Sequence, residues 1–214
     1  MTAVARMAML NLRTVAPYRY QGFLVFALGV LLFAGKPTVL VPALVFFFTS
    51  QFASYPFNVA DKAGLDTLYA VLPLPRRSML YGHYAWAIAL FVATASVSTV
   101  LAVLLARAQT VPFSGRTVMT VLALSWALFA VNVAIQLPLL IRFGYTRVSV
   151  LGTALPLAVV LGTVYKLHLT VPSTQVWLPV LWIAGAVALM ASAAIAVTAD
   201  RRRMRSSGPA PKIH

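Results

Sequence analysis

The side chains able to do covalent or metal chemistry are few. Three histidines (His83, His168 and His214), three carboxylates (Asp61, Asp66 and Asp200) and no cysteine make up nearly the whole stock. The histidines are far apart, so no metal-ligand spacing exists, and the lack of cysteine excludes disulfides, thiolate metal sites and cysteine nucleophiles. No G-x-x-x-x-G-K-[ST] loop occurs, because the Gly-Lys pair at Gly35 and Lys36 is followed by proline, and the chain has no ATP site of that kind. What remains is neutral polarity at helical spacing. Ser50, Ser54 and Asn58 step by four with Gln51 beside them, as do Asn132 and Gln136 further on, and Thr94, Ser96, Ser98 and Thr99 lie between. Such faces turn away from lipid and serve either to bond helices to one another or to line a path for an amphipathic substrate.

The elements that carry these residues belong in a membrane. Of the 214 residues, 61% are hydrophobic and 9% charged, where soluble domains carry about 25% charge. Charged residues divide the chain into six uncharged stretches, 20–35, 37–60, 78–106, 117–141, 148–165 and 167–199. Crossing ~30 Å of hydrocarbon takes about 20 residues. Four stretches pass easily, and the first and fifth reach the length if Arg19, Lys36, Arg147 and Lys166 snorkel to the headgroups. The expected fold is therefore all-α, a polytopic membrane protein of six transmembrane helices at about 18–36, 38–58, 79–105, 118–140, 148–167 and 176–198.

With the N-terminus inside, thirteen of the 17 Lys and Arg residues fall on the cytoplasmic side and four outside, the bias of the positive-inside rule. Both termini are then cytoplasmic. The net charge of +14 becomes an orientation signal, with a membrane as the partner and no nucleic acid. Residues 1–17 read as an interfacial helix, with Val4, Met7, Ala8 and Leu12 on one side and Arg6 and Arg13 on another. Residues 200–214 read as a basic, disordered tail. No span holds a carboxylate, which argues against an ion-coupled transporter or an intramembrane enzyme.

One cytoplasmic loop has room for structure. Leu65, Leu68, Tyr69 and Leu72 fall at i, i+3, i+4 and i+7 and predict an amphipathic helix over about 62–72, with Asp61 as N-cap and Pro73 to Pro75 as the stop. This helix rests on headgroups or docks a cytoplasmic partner; spacing leaves both open. Pro156, near Gly152 and Gly162, predicts a kink in the fifth span.

The same loop resembles a known pattern. Asp61 and Lys62, Asp66, the Leu72-Pro73 turn, the pair Arg76 and Arg77, and the aromatic run from Tyr81 to Tyr84 resemble the loop after the second span in small permeases of the type-two ATP-binding-cassette (ABC) exporters. A second element, Pro138, Arg142, Phe143, Gly144 and Tyr145 with Arg147, is similar to that family's motif at the cytoplasmic end of the fourth span. Thr146 stands where an acid is common, and Val148-Ser149 replaces a small-basic pair. The resemblance implies a permease subunit of a plasma-membrane exporter that pairs with a second permease, the same or a related chain, and docks on two cytoplasmic ATPase subunits. ATP and Mg would be bound by those partners and no cofactor by this chain. Asp61, Leu65, Asp66, Leu68, Tyr69, Leu72, Pro73, Arg76 and Arg77 would form the coupling segment. Cargo would be a drug, an antimicrobial peptide or a lipid. A non-transport immunity or scaffold subunit is the alternative.

Overall fold

The computed structural model describes residues 3–64, 76–143, 145, 154 and 177–206. They form six α-helices: α1 (Ala3–Val15), α2 (Arg19–Phe33), α3 (Pro37–Ala63), α4 (Arg76–Ala108), α5 (Gly115–Phe143) and α6 (Leu178–Ser206), with a 3-10 turn at Ala16–Tyr18 joining the first two. No strand occurs among the described residues.

Four of these helices, α3 to α6, are long and apolar enough to cross a membrane, and they match the predicted second, third, fourth and sixth spans. Each is longer than its predicted span. The chain carries its polar ends beyond the hydrocarbon while remaining helical, because backbone hydrogen bonding does not stop where hydropathy does. The predicted fifth span, with Pro156, lies outside the described residues.

The first span departs most from expectation. Instead of 18–36, α2 has 15 residues, about 22 Å at 1.5 Å per residue, short of ~30 Å of hydrocarbon. It follows α1 at a bend of 77°, and only if the bent pair counts as one span does the number of candidate spans reach five. Packing of α2 is one-sided. Gly22 and Gly29 admit Phe52 and Leu44 of α3 so closely that an added Cβ would lie 2.6 and 2.5 Å from them. The opposite face, with Phe23, Leu28 and Leu31, is exposed.

Helix ends follow local chemistry. Pro37 opens α3 at a position where its missing N–H costs nothing. Ser114 Oγ accepts from the Thr117 N–H at 3.2 Å and caps α5. Gln109 Nε2 donates to Ala34 O at 2.7 Å, which ties the α4–α5 loop to the α2–α3 turn. Those two loops therefore lie at the same end of the bundle, as alternating spans require.

The core lies between α3, α4 and α5, where Leu40, Val45, Phe91, Phe129, Val133 and Leu137 pack together. Helix α6 covers α5, with Trp126 and Trp182 stacked at 5.6 Å and Trp126 Nε1–H donating to Trp182 O at 3.1 Å.

Two local expectations are corrected. Asp61 does not cap a new helix: α3 runs through it to Ala63 and ends at Gly64, whose φ of 61° and ψ of 32° make the left-handed stop that glycine adopts without strain. Residues 62 and 63 therefore belong to α3, and Leu65 to Pro75, which carry the rest of the predicted coupling helix, lie outside the described residues. At the other end, α6 continues through the basic cluster to Ser206, so the part of the tail from 200 to 206 is helical. Residues 207–214 lie outside the described residues.

Candidate functional site: a neutral polar seam and a buttressed junction

The predicted polar face on α3 divides once its neighbours are in place. Ser50 and Ser54 are buried, Asn58 is half-buried and Gln51 is exposed. The Ser54 hydroxyl donates to Gln51 O at 2.7 Å, one turn back on its own helix, and links nothing. On α4, Ser98 does the same with Thr94 O at 2.7 Å, and Ser96 is exposed. These two hydroxyls satisfy themselves within their own helices and join no two of them.

Amides have no such local outlet, and here the two polar helices meet. Gln136 Nε2 donates to Ser50 O at 2.9 Å across the α3–α5 contact. Its Oε1 is buried and has no partner. One turn away Asn132 is 0% exposed, and neither its Nδ2 nor its Oδ1 is hydrogen-bonded. Asn58 Oδ1 and Thr99 Oγ1 are unpartnered as well. Each unmet amide buried in a protein interior costs about 1–3 kcal/mol. The seam is thus built in part for bonding and in part left open, with donors and acceptors but no charge.

Sequence reasoning missed two polar contacts. Tyr84 Oη and Ser192 Oγ are 2.7 Å apart, and Ser192 Oγ also donates to Ala134 O at 3.0 Å. The group joins α4, α6 and α5. Nothing local signals it, since the tyrosine and serine are 108 residues apart.

The second contact corrects the reading of the N-terminal helix. The buried stripe of α1 is Met7, Asn11 and Val15, and Leu12 is exposed. Asn11 Nδ2 lies 3.3 Å from His83 Nδ1 on α4. Beside it, Gly82 lets α1 close in: a Cβ there would stand 2.5 Å from Met7 Cγ. An amphipathic pattern finds the apolar side of a helix facing lipid, whereas this helix turns a mixed stripe onto another helix. The buttress sits on the first turns of α4, directly after the 65–75 segment.

At the end of α5, Pro138 is half-buried, and Arg142 and Phe143 close the helix exposed, with the guanidinium carbon 5.3 Å from the Phe143 ring centroid. Tyr145 is half-buried. Gly144 and Arg147 lie outside the described residues, as do Leu65, Asp66, Leu68, Tyr69, Leu72 and Pro73. Arg76 and Arg77 begin α4.

No curated protein and no solved structure matches the chain. A family model does. It is described as an ABC-2 family transporter protein and matches residues 13–199, from the last turn of α1 to the end of the apolar part of α6. A match of that extent, on a bundle of apolar helices carrying a neutral polar seam, places this multi-pass membrane chain in the ABC-2 family of transporter permeases.

Proposed function

We propose that the chain is the transmembrane half of an exporter driven by a separate cytoplasmic ATPase. The family generally pairs with ATPase subunits, and the sequence has no nucleotide loop of its own. Two ATPase subunits, two permeases, six spans per chain and cytoplasmic termini in the plasma membrane complete the reading.

The observation that carries the coupling is the α3–α4 junction. Two long helices from the centre of the bundle end at Gly64 and restart at Arg76, only eleven residues apart in sequence. Any load on the 65–75 segment acts on both at once, and α1, held to α4 through Met7, Asn11 and Val15, moves with them. In this reading ATP binding clamps the ATPase dimer, the segment is displaced, and the bundles rock to release cargo outside.

Pairing is supported by Gln51. Its amide is exposed near the middle of α3, beside exposed Phe47, where a neighbouring permease or a hydrated path relieves it of lipid. The path accepts neutral, hydrogen-bonding, largely apolar cargo, because no described residue of the seam is ionisable.

The test is co-purification. Leu68→Asp or Tyr69→Asp abolishes recovery of the ATPase with the permease and leaves membrane insertion intact. Full ATPase recovery with both variants defeats the coupling assignment. Absence of ATP hydrolysis in a correctly assembled complex favours a scaffold instead.

A further inference from the structure

The 77° bend between α1 and α2 leaves a gap that the described residues do not fill. A groove of about 390 Å³ runs from Val15 and Ala16 at the elbow, under Phe26 of α2 and Phe52 of α3, to Val97 on α4. Small residues keep it open: Ala16 and Gly22 at the elbow, Ala93 on the far wall. Among the described residues of its lining, Thr94 alone carries a polar side chain. Water has almost no partner there, and an empty groove would forfeit the contacts of four aromatic rings, Phe23, Phe26, Phe48 and Phe52.

The rim states where the groove opens. Leu12, Phe23, Ala93 and Val97 of the lining are exposed, and Phe23, 72% so, belongs to the outward face of α2. In a membrane-spanning chain that side meets lipid. From Leu90 to Val97 the α4 wall advances about 10 Å at 1.5 Å per residue, a length suited to a linear hydrocarbon and not to a compact solute.

Charge at the elbow selects the headgroup. Arg13, the basic residue in the last turn of α1, is exposed next to Leu12 of the rim, and Arg6 is exposed seven residues before it, on the same side of the helix. No acidic residue precedes Asp61. A cation held at the surface of an anionic leaflet is worth about 1 kcal/mol.

We infer that the groove is a resident lipid site: one acyl chain of an anionic phospholipid lies between α1, α2, α3 and α4, with its phosphate against Arg13. The lipid completes the elbow and stays in place. It is not the exported cargo, and the site depends on the chain's place in a membrane, whether or not the coupling reading holds.

Trp86 is a built-in reporter. It is 6% exposed and packs with Val15, Phe52 and Leu90, which line the groove. The full chain, without ATPase, is reconstituted in phosphatidylcholine bilayers containing small fractions of brominated phosphatidylglycerol or brominated phosphatidylcholine. The Trp86 fluorescence is taken as the difference from the Trp86→Phe variant. Expected is saturable quenching, at a several-fold lower mole fraction for the brominated phosphatidylglycerol. Ala93→Phe, which fills the groove, removes the saturable part, and the milder Ala93→Leu reduces it. Arg13→Gln erases the headgroup preference and leaves quenching by the phosphatidylcholine probe unchanged. Quenching that is linear in mole fraction, equal for the two headgroups or unaffected by both Ala93 variants overturns the proposal.

Discussion

Gln136 on α5 reaches Ser50 on α3 with one end of its amide, Nε2 to O at 2.9 Å, and leaves the other end buried and unmet. The pair shows how the bundle treats polarity. An amide is long enough to bridge two helices and carries both a donor and an acceptor, so one bridge satisfies only half of it. The unmet half, with Asn132 a turn away, is where a substrate or a change of helix packing has something to gain.

Gln136→Leu removes the bridge together with the orphaned oxygen. The net loss of stability is small, about 0.5–1.5 kcal/mol or less. Thermal unfolding in detergent measures it, and a loss well beyond that range means the amide holds more than Ser50.

Asn132→Leu behaves differently. Its amide makes no hydrogen bond in this state, so an apolar replacement of similar size leaves stability unchanged or raises it by up to about 1–3 kcal/mol, the desolvation cost it relieves. Substrate-stimulated ATP hydrolysis by the assembled complex falls, because the open donor and acceptor are lost. Unchanged stimulation removes Asn132 from the path.

Tyr84→Phe separates the two bonds of Ser192. The serine keeps its bond to Ala134 O, and only the link to α4 disappears, for a loss of about 0.5–1.5 kcal/mol. Ser192→Ala costs at least as much, since it ends both bonds. Comparing the two unfolding midpoints checks the order.

Gly82→Ala places a Cβ against Met7. Overpacking of this kind costs about 1–3 kcal/mol. Met7→Ala added to it restores part of the loss if the clash is the cause. Because the chain has no cysteine, a cysteine pair introduced at positions 11 and 83 reports the contact directly: cross-linking falls in Gly82→Ala and recovers in the double variant.

Gln51→Leu tests the exposed face of α3. Insertion and stability of the isolated chain are retained, while recovery of paired permeases, or stimulation of ATP hydrolysis by substrate, is reduced several-fold. A fully active Gln51→Leu complex would falsify a role for this amide in pairing or path.

Much of the molecule was legible in its residues. The all-α membrane class, four helices long and apolar enough to cross a membrane, and the ABC-2 resemblance all rest on hydropathy and short motifs. These are local quantities, since lipid acts on each segment separately and a helix satisfies its own backbone. Which polar side chains matter was decided only by the tertiary structure. Ser50, Ser54 and Asn58 share a spacing, yet Ser54 bonds to its own helix and Ser50 accepts Gln136 through its backbone, a group that side-chain spacing does not represent. The buried stripe of α1 and the link from Tyr84 to Ser192 depend on how neighbouring helices are rotated and how far they slide along one another. Spacing within a helix relates its residues only to each other, and the partner's rotation and register come from packing over the whole bundle.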